Sequence, residues 1–184
     1  MLKPAQLYEQ ELQVQHIKNW YVSENYFWCA RAGERMIELP DNNYNSHDFV
    51  SVDKYKRVIG YITYDIDWES MSVDNLGVIS FYKGNLLFVK DLYTAICDIF
   101  EKYHMNRISW WCYADNPAIN GYRKFIKRCG GRECGYARQN AKLMDGKMHD
   151  SVFFEVLACE FKKRGESKKN EMVNQLHSEL LLQT

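Results

Sequence analysis

Residues 75–131 read NLGVISFYKGNLLFVKDLYTAICDIFEKYHMNRISWWCYADNPAINGYRKFIKRCGG, and their order of strand, glycine turn, helix, strand and helix decides the fold. LGVISF at 76–81 is a short β-branched and aromatic run, closed by a turn at Gly84. Phe88, Leu92, Ile96, Ile99, Phe100 and Tyr103 then recur on one face at helical spacing. In RISWWCY, at 107–113, Ile108, Trp110 and Cys112 alternate with Ser109, Trp111 and Tyr113. A strand that is apolar on both sides is expected to be buried on both. Asp115 or Asn116 can cap a following helix with Pro117 at its first position. Ile119, Tyr122, Ile126 and Cys129 mark that helix's inner face before Gly130 and Gly131 end it.

On the N-terminal side, FVSVD and RVIGYITYDID are strand-like runs joined by the polar turn Lys54–Lys56, which predicts a β-hairpin. A second polar turn, around Glu69–Asp74, leads into 76–81, so three successive antiparallel strands are expected. Leu7, Tyr8, Leu12, Val14, Ile17, Trp20 and Tyr21 have helical spacing and predict one or two short helices over 4–28, with Pro4 in the first turn. The turn formers of 30–47 predict a surface loop with at most one short strand. On the C-terminal side, Asp145-Gly146 between β-rich runs predicts a hairpin over 132–142 and 148–160. KKRGESKKNE then reads as a charged linker and MVNQLHSELLL as a short amphipathic helix.

The expected architecture is therefore α+β: a mixed, mostly antiparallel central sheet flanked by helices, with one helical crossover between parallel strands. It forms one domain over 1–161, with 1–47 as N-terminal helices and loop and 48–161 as sheet, followed by a tail at 162–184. Composition agrees, since 184 residues at 46% hydrophobic and 15% aromatic are enough for one packed core. Twenty-four basic and 24 acidic residues give zero formal net charge, which supplies no electrostatic reason to expect nucleic acid or an anionic membrane as partner. No window has the length of a membrane span or the layout of a signal peptide, so a cytoplasmic protein is expected. The six cysteines form no CxxC pair; Cys129, Cys134 and His149 lack the tight paired spacing of a structural zinc site, and no metal is expected.

This order of elements is similar to the GNAT superfamily of N-acetyltransferases across about 49–161. In the resemblance, LGVISF is the fourth family strand, FVKDLYTAICDIFEKY the helix after the phosphate loop, and RISWWCY the fifth strand. DNPAINGYRKF resembles the family's Asn-x-x-Ala-x-x-x-Tyr segment, shortened by about one residue. Gly130, Gly131, Arg138, Asp145, Gly146 and Asp150 resemble its closing hairpin. The resemblance implies a sheet splayed between the fourth and fifth strands, acetyl-CoA as cosubstrate and an amine as acceptor. It places Val78, Ile79 and Ser80 along the pantetheine arm. It places Lys83, Gly84, Asn85, Leu86, Leu87 and Phe88 at the pyrophosphate, where orphan helix amides favour anions. Asn116 is implied beside the cofactor. The loop departs from the family pattern Gln/Arg-x-x-Gly-x-Gly/Ala, because Leu87 and Val89 stand about where small residues belong.

Acyl transfer to an amine needs a proton for the departing thiolate, and Tyr122 is the candidate acid; packing with Ile119 and Ile126 explains the same residue equally well. No general base declares itself. Asp65, Asp67 and Glu69 read as a solvated turn, His104 as a residue ending a helix, and His149 with Asp150 as exposed. Trp110, Trp111 and Tyr113 read as core. Two functions follow: an N-acetyltransferase acting by direct attack in a ternary complex, or a catalytically silent binding module with a degenerate CoA loop. A third and weaker reading is a nucleic-acid binder using the basic residues of 123–132.

Overall fold

The computed structural model describes residues 1–19, 36–143 and 145–161. The expected tail helix, Trp20 and Tyr21 lie outside the described residues. The chain runs β1 (Leu2–Pro4), a 3-10 turn (Ala5–Tyr8), α1 (Glu9–Asn19), β2 (Ser46–Val52), β3 (Val58–Asp67), β4 (Ser72–Ser80), α2 (Leu86–Glu101), β5 (Arg107–Tyr113), α3 (Ile119–Cys129), β6 (Arg132–Lys142) and β7 (Met148–Leu157). One seven-stranded sheet results, in the order β1-β2-β3-β4-β5-β7-β6. Every neighbouring pair is antiparallel except β4 and β5, which run parallel across the α2 crossover. The α+β class and mostly antiparallel sheet expected from the sequence are observed.

Two hydrophobic clusters cover the sheet. Ile62, Tyr64, Val73, Phe88, Ile96, Ile99, Ile108, Trp110 and Phe154 join β3, β4, β5 and β7 to α2, and α3 packs on the same cluster through Ile119, Tyr122, Phe125 and Ile126. Leu12, Ile37, Val50, Val52, Tyr61 and Ile79 join β2, β3 and β4 to α1 on the other face. Gly60 sets how closely α2 approaches: a Cβ there would lie 2.3 Å from the Phe88 ring, so only glycine lets that ring rest on β3. Asp91, buried in α2, accepts a hydrogen bond from Ser51 Oγ at 2.6 Å and pairs with the Met1 ammonium at 2.6 Å, which ties α2 to the β1–β2 edge.

Several expectations need correction. β1 was not expected, because three residues carry too little pattern to read as a strand; pairing with Phe49, Val50 and Ser51 creates it. β2 and β4 begin at Ser46 and Ser72, earlier than the apolar runs suggested, because backbone pairing extends into polar residues. α3 begins at Ile119, so Pro117 stands in the preceding turn. β5 is buried on one face only: Ile108, Trp110 and Cys112 are interior while Trp111 is 42% exposed, since the α2 and α3 cluster covers a single side. Gly130 does end α3, at φ 92°, a left-handed conformation that glycine adopts without strain.

Candidate active site

The parallel pair at the centre of the sheet is joined over a short stretch. Ser72 pairs with Arg107 and Val73 with Ile108, and beyond these residues β4 and β5 part. The cause is local. Against β3, Thr63 faces Gly77 but Asp65 faces Asp74, so β4 carries one extra residue between them. Asn75 absorbs it at φ 56°, a left-handed conformation that Asn tolerates better than most residues, with its Nδ2 donating to Asp65 Oδ2 at 3.0 Å. A bulge of this kind raises the local twist and bends the strand away from its neighbour.

The bulge also resets which residues face the gap. Phe81 N donates to Ile59 O at 3.1 Å, so by strand alternation Ile79 turns its backbone groups to β3, while Val78 and Ser80 turn theirs toward the side that β5 has left. Of the three strand residues expected along the arm, Val78 and Ser80 border the gap. Ile79 is buried against Tyr61 in the α1 cluster. From Asp74 to Ser80 the strand spans about 20 Å at ~3.3 Å per residue, the order of length of an extended pantetheine arm.

α2 begins at the mouth of this gap. Asn85 is its N-cap, and the Asn85 Oδ1 accepts from Leu87 N at 3.0 Å and Phe88 N at 3.2 Å. Gly84, at φ 70°, turns the chain into the cap, and Lys83 stands exposed beside it. The amides of Leu87 and Phe88 are therefore already occupied by the protein's own side chain. Leu86 is 83% exposed, and Phe88 is buried on Gly60. The six loop residues named from the sequence are thus adjacent, but they divide into a capped helix start and an open turn at Lys83 and Gly84.

Across the gap, β5 and α3 supply the opposite wall. Trp110 is 4% exposed; its ring stacks on Phe154 at 5.4 Å and meets Tyr122 and Phe125 edge-on at 5.9 and 6.0 Å. Tyr122 is half-buried on this aromatic group. Cys112, next along the same face, has its thiol pushed up to about 11 by burial, so it is protonated and inert at neutral pH. Asn116 is buried and folds the β5–α3 turn: its Oδ1 accepts from Ala118 N at 2.8 Å and its carbonyl from Ile119 N at 3.0 Å.

At the apex, where the two strands part, Asp74 lies on the face opposite the α2 and α3 cluster. Ser109 Oγ donates to Asp74 Oδ1, Ser72 Oγ donates to Oδ2 at 3.3 Å, and Arg107 Nη2 stands 3.7 Å away. Sequence reading placed Asp74 in a polar turn and missed it. The available signal was Asp-Asn interrupting a β-rich run, the composition of a bulge. The carboxylates that were considered act otherwise: Asp67 caps its turn by accepting from Glu69 N, Ser70 N and Ser70 Oγ, and Asp65 holds Asn75. His104 sits exposed at φ 56° just after α2.

His149 is a further correction, for it is buried at 8% rather than exposed. Its Nδ1 lies 2.8 Å from Asp115 Oδ2, and its Nε2 lies 3.1 Å from both oxygens of Asp145. The Asp145 hydrogen bond raises the His149 pKa against the effect of burial, and Asp115 raises it further. With a carboxylate at each ring nitrogen, the imidazolium donates to both and ties the end of β5 to the β6–β7 turn. Asp150 instead accepts from Tyr136 Oη and Gln139 N. Among the described residues no group of His, Cys, Asp and Glu forms a metal-binding cluster. No helix of the described residues is long and apolar enough to cross a membrane.

No family model matches the chain, and no curated protein matches it in sequence. Solved structures do match in shape. A point variant of the spermidine N-acetyltransferase SpeG from Vibrio cholerae superposes with a TM-score of 0.62 at 16% identity, covering 86% of this chain and 95% of that one. A GCN5-related N-acetyltransferase from Brucella melitensis gives 0.61 at 20% identity, over 86% of this chain and 76% of that one. The ribosomal-protein-S5-alanine acetyltransferase from Vibrio fischeri gives 0.52 at 20% identity, over 64% of each chain. At such identities the likeness lies in the architecture, and with the bulged fourth strand, the parted parallel pair and the helix set at its mouth, the chain has the GNAT fold.

Proposed function

We propose that the protein is an N-acetyltransferase that moves an acetyl group from acetyl-CoA to an amine within a ternary complex. The observation that carries this reading is the gap between β4 and β5, with the outward backbone groups of Val78 and Ser80 on one wall and Trp110 and Tyr122 on the other. Such an edge suits an extended chain of amides, which needs main-chain partners along its length. The open turn at Lys83 and Gly84, with the Leu87 and Phe88 amides that Asn85 caps in the free protein, holds the pyrophosphate end in this reading, by helix-start amides and one positive charge. Asn116 shapes the wall beside it.

When bound, acetyl-CoA supplies an activated acyl thioester. The protein's part is to orient it and handle two protons. Tyr122 donates its phenolic proton to the thiolate as the carbon–sulfur bond breaks. Asp74, held by Ser72 and Ser109, accepts the proton that the amine loses as the carbon–nitrogen bond forms. The two groups lie on opposite faces of the sheet, which keeps proton donor and proton acceptor apart.

Isothermal titration calorimetry with acetyl-CoA, paired with acetylation assays on spermidine and on a peptide with a free N-terminus, tests the reading. Micromolar binding and turnover of one acceptor class are expected. Tyr122→Phe is expected to keep the acetyl-CoA affinity and lower kcat by about 100-fold. A second reading, a silent binding module, is favoured by the Asn85 cap and the exposed Leu86. The absence of heat at millimolar acetyl-CoA would establish that module and remove the enzyme.

A further inference from the structure

Trp110 presents a buried polar group with nothing to bond. Two buried side-chain atoms of the described residues lack a hydrogen-bond partner, Trp110 Nε1 and His47 Nδ1. They are not equivalent. A neutral imidazole can carry its proton on Nε2, which in His47 faces Tyr44 O at 3.3 Å, and leave Nδ1 as a lone pair. An indole has no such freedom, because Nε1 always carries a hydrogen and always donates. Buried donors without acceptors are rare in folded proteins and call for an explanation.

The position of Trp110 supplies one. The residue follows Ile108, the last β5 residue paired with β4, by two positions, so it stands about 7 Å from the apex at ~3.3 Å per residue. Its side chain lies on the α2 and α3 face, in the group that includes Val78 and Tyr122. Phe154, Tyr122 and Phe125 surround the ring and offer it aromatic carbon. Phe154 is fully buried beneath the ring, whereas Tyr122 and Phe125 are only half-buried and can turn aside, and the one polar atom of the indole is left over.

Resting on the acetyltransferase reading above, we propose that the Trp110 indole N–H is a hydrogen-bond donor to a carbonyl oxygen at the thioester end of the acyl-pantetheine arm. The nearness of Trp110 to the apex selects that end over the pyrophosphate. The rings around it exclude water until the arm displaces Tyr122 or Phe125, so the N–H is unpaired in the free protein and paired in the complex. Trp110 then contributes to choosing an acylated or amide-bearing arm over a bare nucleotide.

Trp110→Phe keeps an aromatic ring and deletes the donor, and it is tested on the full chain by calorimetry with acetyl-CoA and with adenosine 3′,5′-bisphosphate, which lacks the arm. The expected result is acetyl-CoA affinity reduced by about three- to tenfold, nucleotide affinity unchanged, and ligand-free thermal stability equal to the wild type or higher. In 15N-labelled wild-type protein, the indole resonance that the variant lacks should move downfield with acetyl-CoA and stay in place with the nucleotide, a measurement that does not depend on the variant's folding. Equal acetyl-CoA affinity in variant and wild type, or an indole resonance indifferent to acetyl-CoA, overturns the proposal and leaves the acetyltransferase reading standing. A wild type that binds no acetyl-CoA overturns both.

Discussion

Asn85 caps α2 with the same amides that a pyrophosphate would take. Its Oδ1 reaches Leu87 N and Phe88 N, so an anion at this helix start has to exchange with a side chain already in place. The exchange is between a neutral acceptor and a charged one, and a phosphate oxygen is the stronger partner for a helix amide at the positive end of the dipole. Asn85→Gly removes the competitor and keeps a residue that is tolerated at N-caps. The variant should lose only a few tenths of a kcal/mol in chemical denaturation, and calorimetry should find it binding acetyl-CoA more tightly than the wild type. Weaker binding would mean that Asn85 itself contacts the cofactor. Of the two bulky residues that make the loop depart from the family pattern, Leu87 packs against the central cluster and Val89 is 55% exposed. Leu86 points to solvent and Phe88 packs down on Gly60, away from the turn at Lys83 and Gly84.

Among the elements, the β6–β7 hairpin is joined to the β5–α3 turn by one imidazolium. His149 stands between Asp115 and Asp145, with Asp150 next to it in sequence and Lys147 in the same turn; Tyr113 packs edge-on at 6.1 Å. Its folded pKa is raised above the unfolded value of about 6.5. A raised pKa means the folded state holds the proton more tightly, so the stabilisation is fully present below about pH 6.5 and is lost as pH rises through the folded value. Asp145 is depressed, first by the Lys147 amide and then by His149, so its share is lost instead at acid pH as that carboxylate protonates. Thermal melts of wild type and His149→Phe across pH 5.5–9 should therefore show the largest gap in Tm near pH 6, closing as the pH becomes alkaline. A gap constant over that range would mean that the ring contributes by packing alone. Because Asp115 precedes Asn116 in the turn that leads to α3, the same variant is also expected to loosen the wall that carries Tyr122.

At the scale of the whole molecule, the sheet is one continuous seven-stranded layer whose central seam is held by two residue pairs. α2 packs on β3 across the seam from α3, and both helices share one cluster with β5. A ligand lying in the gap would bridge the two halves and bind only the folded state. At one hundred times its dissociation constant such a ligand adds about 2.7 kcal/mol, which for a domain of this size corresponds to a rise in Tm of roughly 5–11 °C. Differential scanning fluorimetry with acetyl-CoA should show that rise, and adenosine 3′,5′-bisphosphate, which spans only the mouth, should give a smaller one. Equal shifts would mean that the gap contributes nothing to binding.

The sequence by itself determined the order and type of the central elements. The period-2 runs of β3 and β5, the one-faced spacing of α2, the glycines ending α3 and the Asp145-Gly146 turn are local patterns, and local backbone preference is enough to read them. Tyr122 and the loop at 83–88 could be named as candidates in the same way, because each lies within one readable element or turn. Tertiary structure alone decided the rest. Asp74 and Ser109 are 35 residues apart and meet only because a bulge at Asn75 shifts the register of β4. Asp115 and His149, 34 residues apart, meet only because β7 inserts between β5 and β6. The exposure of Trp111 and the unpaired N–H of Trp110 follow from which face the helices cover. Register, strand order and facing are set by packing the whole sheet at once, and no local window contains that information.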